Sequence, residues 1–131
     1  MAVQNIFIAG FQKCGTTALA DWMLTNGLVE DRVPNVKEPF LYANDDAHPV
    51  RIRTSDLPLL DASVGYAQDP GCVARLPEHD THVVICVRNQ FERLWSAYKM
   101  HKVLRSNTET AGDYLRATSP GIKVQQLAGL T

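Results

Sequence analysis

Three cysteines, Cys14, Cys72 and Cys86, are all that the chain contains. They are odd in number and irregular in spacing, which excludes a disulfide framework and makes a reducing compartment the simpler expectation. Long apolar runs are missing too. No stretch approaches the roughly 20 apolar residues of a membrane span, and the first residues have neither the basic segment nor the apolar length of a secretory signal. A soluble, cytoplasmic protein is therefore expected. Nor is there an excess of charge of one sign. The 13 Lys and Arg against 14 Asp and Glu leave a formal net charge of −1, so bulk electrostatics point to neither nucleic acid nor an anionic membrane. Any anion site has to be local. His79, His82 and His101 have no metal-ligand spacing with one another or with the cysteines, Asp45-Asp46 reads as a solvated loop, and no metal is expected. Internal repeats and low-complexity tracts are absent.

What is there is an ordinary globular composition, 45% apolar and 21% charged over 131 residues, which fits one domain. It is organised around residues 6–24, IFIAGFQKCGTTALADWML. An apolar run ends at Gly10, a tight loop with a lysine follows, and two threonines open an amphipathic run. This reads as strand, anion loop and helix, because successive backbone N–H groups and a lysine at a helix N-terminus can wrap a phosphate. The nucleotide-binding pattern G-x-x-x-x-G-K-[ST] is nearly present. Gly10 and Gly15 have its spacing, but Thr16 stands where the lysine should be, and the lysine sits within the loop at position 13.

The rest follows in order. A buried strand is expected over 5–9 and a helix over 16–26 stopped by Gly27, with Leu19, Trp22 and Met23 as its buried stripe. Residues 36–42 are a short mixed segment in which Pro39 biases Glu38 to an extended conformation. Residues 44–56 read as a surface loop, 57–63 as a second short strand or its approach, and 69–76 as a turn into a short helix. The run 82–87 is β-branched and continuous, the clearest strand in the chain. Arg88 stands at its end. Asn89 then reads as an N-cap, with Glu92 three residues on as in a capping box. The helix that follows reaches about residue 104 and carries Phe91, Leu94, Trp95 and Tyr98 on one face. A further helix is expected over 110–117. Trp22 and Trp95 are expected in the core. Two strand–loop–helix units frame an α/β domain with a parallel sheet flanked by helices, and ligands of such sheets bind at the carboxyl ends of strands.

Two anion sites then share one sheet edge. Lys13, with the amides of Cys14, Gly15, Thr16 and Thr17 and the two threonine hydroxyls, makes the first. Arg88 and Ser96 make the second, since an arginine fork grips phosphate bidentately. Together these residues resemble the sulfotransferases that use 3′-phosphoadenosine 5′-phosphosulfate (PAPS). Gln12-Lys13-Cys14-Gly15-Thr16-Thr17 is similar to the family's 5′-phosphosulfate loop, with Gln for Pro. Arg88-Asn89-Gln90-Phe91-Glu92-Arg93-Leu94-Trp95-Ser96-Ala97-Tyr98 is similar to its 3′-phosphate motif, again with one proline replaced, by Gln90. Lys37-Glu38-Pro39-Phe40 looks like the K-E-x-x-F segment of the branch acting on glycosaminoglycans, and 61–66 looks like that branch's S-P-x-Y segment without its proline.

The resemblance implies a three-layer α/β/α domain like that of P-loop NTPases, spanning 1–131. It also implies an incomplete C-terminal part, because the family's later glycine- and lysine-containing loop has no counterpart after Arg105. It implies PAPS as donor, no metal, and a small-molecule or glycan acceptor. Lys13 would stabilise the leaving group, Cys14 to Thr17 would hold the 5′-phosphosulfate, Arg88 and Ser96 the 3′-phosphate, and Glu38 would be the base. His48 is the alternative base, on the pattern of the small-molecule branch. Lys37 either contacts the acceptor or sulfuryl group or is solvated. Cys14, at a helix N-terminus where a thiol pKa can be lowered, reads as a small residue that the loop tolerates. Two other readings stand beside this one: a P-loop nucleotide kinase or NTPase, and a truncated, non-catalytic remnant that binds PAPS or PAP.

Overall fold

The computed structural model describes residues 2–43, 55–105 and 110–114. The expected loop at 44–56 lies largely outside the described residues, as do His48, Asp45-Asp46 and everything past 114. The elements are β1 (Asn5–Gly10), α1 (Thr16–Thr25), β2 (Glu30–Asp31), β3 (Leu59–Asp61), α2 (Pro70–Arg75), β4 (Thr81–Ile85) and α3 (Gln90–Arg105), with a short 3₁₀ turn at Tyr66–Gln68 before α2. Residues 111–114 are helical. The four strands form one all-parallel sheet in the order β2-β3-β1-β4.

β1 is central because it is apolar on both faces, as a strand covered on both sides must be. Its alternation divides the core in two. Phe7 and Ala9 pack with Tyr42, Tyr66, Cys72 and Leu76, on the side of the 3₁₀ turn and α2. Ile8 packs with Ala20 of α1 and with Val29, Leu60 and Ala62. Phe7 and Ile8 are fully buried, each a contribution of about 1.5–3 kcal/mol by area removed from water. Asp69 caps α2 by accepting the Gly71 N–H at 2.8 Å, with Pro70 opening the helix, where a proline's missing N–H costs nothing.

Three expectations need correction, two about the core and one about the bounds of the strand expected over 82–87. Trp22 is 57% exposed. Thr16 and Ala20 are the buried residues of α1, with Leu19, Met23 and Leu24 packed beside them, so the buried stripe is rotated away from Trp22. The small Ala20 lets the helix approach Ile8. Trp95 and Phe91 are also exposed, whereas Ala97 and Tyr98 are the buried residues of α3. Third, β4 spans 81–85 and pairs with β1 along one edge. Val84 packs on the core with Cys86, but Val83 and Ile85 face the other way and are exposed. A continuous β-branched run marks a strand without saying how many of its faces are covered.

Candidate functional site

The first anion loop is built as its residues require. Gly15 has φ 81 and forms the N-cap of α1, a left-handed position that suits glycine. Lys13 is also left-handed, with φ 64. Gly10 allows a close approach from below: a Cβ there would stand 3.1 Å from the Cβ of Ala67. No side chain caps α1, so its first-turn N–H groups have neither intrahelical acceptors nor a side-chain substitute. Thr16 and Thr17 open this turn, Thr16 buried and Thr17 exposed.

Arg88 lies just past the carboxyl end of β4. Its Nη1 donates to the Lys13 carbonyl at 3.4 Å, and its Nε donates to Glu92 Oε2 at 3.3 Å. Residues 75 positions apart are thus joined directly. Asn89 acts as the expected N-cap, its Oδ1 accepting the N–H groups of Phe91 and Glu92 at 3.1 and 3.3 Å. The Glu92 carboxylate turns to Arg88, where the capping-box expectation had it reach back to the cap. Ser96 is further along α3, and Met100, one turn beyond it, shares its face.

Glu38 comes to the same place from a third segment. Ala62 donates its N–H to the Lys37 carbonyl at 3.0 Å, and Val64 donates its N–H to Glu38 Oε1 at 3.2 Å. Lys37 Nζ stands 3.9 Å from the same oxygen. Beneath this segment lies a buried polar cluster at the end of β3. Asp61 and Ser63 are wholly buried, and Tyr66 with them. Burial pushes the Asp61 carboxyl above its ordinary value, against the pull of its hydrogen bonds from Ser63 and Tyr66 and of the Arg32 charge. Burial likewise raises the Tyr66 hydroxyl.

Lys13, Gly15, Thr16, Thr17, Lys37, Glu38, Arg88 and Ser96 all line one open cavity of about 390 Å³, with Gln12, Ala18, Val64 and Met100 completing its lining. Three cations and one carboxylate therefore face a common space in a chain whose net charge is −1. A second hollow of about 420 Å³ adjoins it along α3, sharing Lys13, Ser96 and Met100 and adding Lys99, Val103 and Leu104. The size is that of a small-molecule site. Cys14 is the one predicted loop residue outside the cavity lining. Its Sγ lies 3.7 Å from the Gln12 carbonyl, and burial pushes the thiol up against the opposing pull of Arg93 and Arg88.

Val64 was expected only as part of the 61–66 segment, and Met100 and Arg32 were not expected at all. Met100 was legible as the residue four after Ser96. Arg32 had no such signal. It is a buried arginine in a connection, donating to Asn5 Oδ1 at 2.6 Å and lying 4.9 Å over the Phe7 ring. No helix among the described residues is long and apolar enough to cross a membrane. Comparison of the chain with known protein families, with characterised proteins and with solved structures finds no match.

Proposed function

We propose that this chain binds PAPS and transfers its sulfuryl group to an acceptor hydroxyl, less favourably to an amine, with a carbohydrate as the acceptor class. On this reading the parallel sheet is the N-terminal part of a three-layer, P-loop-like domain. The observation that carries it is the common cavity. A displaced-lysine loop, an arginine–serine pair and a lysine–glutamate segment, far apart in sequence, all line the same space. Two cationic anion sites on one sheet edge suit a ligand with phosphate at two positions, and the uncapped first turn of α1 suits an oxyanion.

The residues then divide the work. The loop amides with Thr16 and Thr17 hold the 5′-phosphosulfate, and Arg88 with Ser96 holds the 3′-phosphate. Glu38 accepts the proton of the acceptor hydroxyl as its oxygen bonds to sulfur. The bond from sulfur to the bridging oxygen breaks in the same in-line step. Lys13 neutralises the charge that grows on that oxygen. The products are the sulfated acceptor and adenosine 3′,5′-bisphosphate (PAP).

A thermal-shift titration tests the donor assignment. PAP should raise the melting temperature in a concentration-dependent way, as any ligand selective for the native state does, and ATP with magnesium should not. No shift with PAP would sink the assignment. A shift with magnesium-ATP alone would favour the nucleotide kinase reading.

A further inference from the structure

The segment that carries Glu38 is both strained and pinned. Pro39 disfavours a helical Glu38, and Phe40 takes φ 49, a left-handed position that is a genuine outlier for a bulky residue. Such a conformation is sterically costly and persists only where the surroundings over-determine it. Here they do. Phe40 donates its N–H to Ser63 Oγ at 3.0 Å, and Tyr42 donates its N–H to the Tyr66 hydroxyl at 3.2 Å. The Phe40 ring meets Tyr66 edge-on at 5.9 Å and lies over Gly65, where a Cβ would stand 3.1 Å from it.

The direction of every bond in this network follows from donor chemistry. A backbone N–H only donates, so both hydroxyl oxygens must accept from the Glu38 segment. Each hydroxyl then has one proton to give, and both go to Asp61. Ser63 Oγ lies 2.6 Å from Oδ1, and the Tyr66 hydroxyl lies 3.0 Å from Oδ2. Oδ1 also accepts the Ser63 N–H at 3.0 Å. The two Asp61 carboxyl oxygens, each accepting from one hydroxyl, therefore orient both toward the segment. The chain between those hydroxyls supplies the Val64 N–H that holds Glu38 Oε1, which leaves Oε2 for the acceptor proton.

We propose that Asp61, acting through Ser63 and Tyr66, is the positioning residue for Glu38, fixing both its backbone and its carboxylate against the cavity. This rests on the reading of Glu38 as base. The test uses Tyr66→Phe, which removes a single oxygen, and Ser63→Ala with Ser63→Thr as the conservative variant. Asp61→Asn is a poorer probe of turnover, because its amide nitrogen cannot accept a hydroxyl proton. Tyr66→Phe and Ser63→Ala should lower kcat about 10- to 100-fold, the scale of a misplacement of about 1 Å. PAP affinity and the donor KM should stay near wild type, and Ser63→Thr should recover most of the rate.

Hydrogen exchange at the Val64 amide reads the coupling apart from turnover, and Tyr66→Phe should accelerate it. Unchanged exchange there overturns the proposal whether or not transfer is observed. So does a wild-type kcat in Tyr66→Phe when Glu38→Gln is inactive. Normal turnover in Glu38→Gln would instead remove the base itself, and with it the reason for positioning it.

Discussion

Arg88→Ala is the sharpest perturbation of the proposed donor site, and its magnitude can be worked from the donors of the guanidinium. Five N–H groups are available. The Nε donor goes to Glu92 and one Nη1 donor to the Lys13 carbonyl, which leaves three for an anion. A bidentate grip uses two of them, and hydrogen bonds to charged groups are worth about 1.5–3 kcal/mol each. The Arg88 side chain is 43% exposed, so solvent screening holds the pair to the low end, about 2–3 kcal/mol in total. That is a loss of roughly 30- to 150-fold in PAP affinity, readable by calorimetric titration at fixed salt. Arg88 also touches the loop through the Lys13 carbonyl, which every residue at position 13 retains. Because the two residues are in contact and would share one ligand, the effects of Arg88→Ala and Lys13→Ala on PAP binding should not add, and a coupling of about 0.5–3 kcal/mol is expected. If Arg88→Ala bound PAP within about threefold of wild type, against the roughly 30-fold minimum expected from its donors, the second anion site would not exist.

Two further outcomes are expected. Lys13→Ala should lower transfer about 10²- to 10³-fold, the scale of losing one transition-state donor, while weakening PAP less than Arg88→Ala does. An equal loss in both measurements would make Lys13 a plain binding residue. Asp61→Asn should remove a pH dependence of stability. Burial raises this carboxyl above its usual 3.8, so the folded chain holds the proton more tightly than the unfolded chain. The stability this contributes is complete below the unfolded value and is lost as pH rises through the folded one. Denaturant melts from pH 3.5 upward should show wild type declining relative to Asp61→Asn, and parallel curves would contradict the assignment.

The elements with strong local chemistry were legible in the sequence. β1 and β4 are runs that cannot be exposed throughout, Gly15 is the residue a left-handed N-cap requires, and Asn89 caps α3 as its side chain dictates. The loop, Arg88, Ser96 and Glu38 were legible as pieces, and sheet topology explains why they meet: β1 and β4 are adjacent and parallel, so both carboxyl ends open on one edge. What local pattern could not supply was tertiary. Helical period places Trp22 and Trp95 on faces but does not say which face meets the sheet, and Ala20 and Ala97 won because small residues permit close packing. β2 is two residues long, too short to have a period, and exists because its N–H and C=O groups pair with β3. Arg32 is tolerated inside because Asn5, Phe7 and Tyr42 receive its charge, a combination that no neighbouring residue announces.

The structure also accounts for the displacement of the lysine. In the nucleotide-binding pattern the lysine would occupy position 16, the first residue of α1. Here that residue is Thr16, only 5% exposed, packed where a small side chain fits. A lysine there would have to bury a long stem and a charge, at a cost that only an intimate phosphate partner offsets. Position 13 is different. It lies at the crest of the loop, borders both hollows and is half-buried. Its backbone is held left-handed while Arg88 accepts the burden of fixing its carbonyl. A cation at 16 would sit under a phosphate chain. On the proposed reading, a cation at 13, which lines the same cavity as Glu38, would face the group in transit between a leaving oxygen and an attacking one. That placement is the one the proposed sulfuryl transfer requires of its lysine, serving a bond being broken, where the phosphoryl transfer suggested by the glycine spacing would call for a lysine at 16.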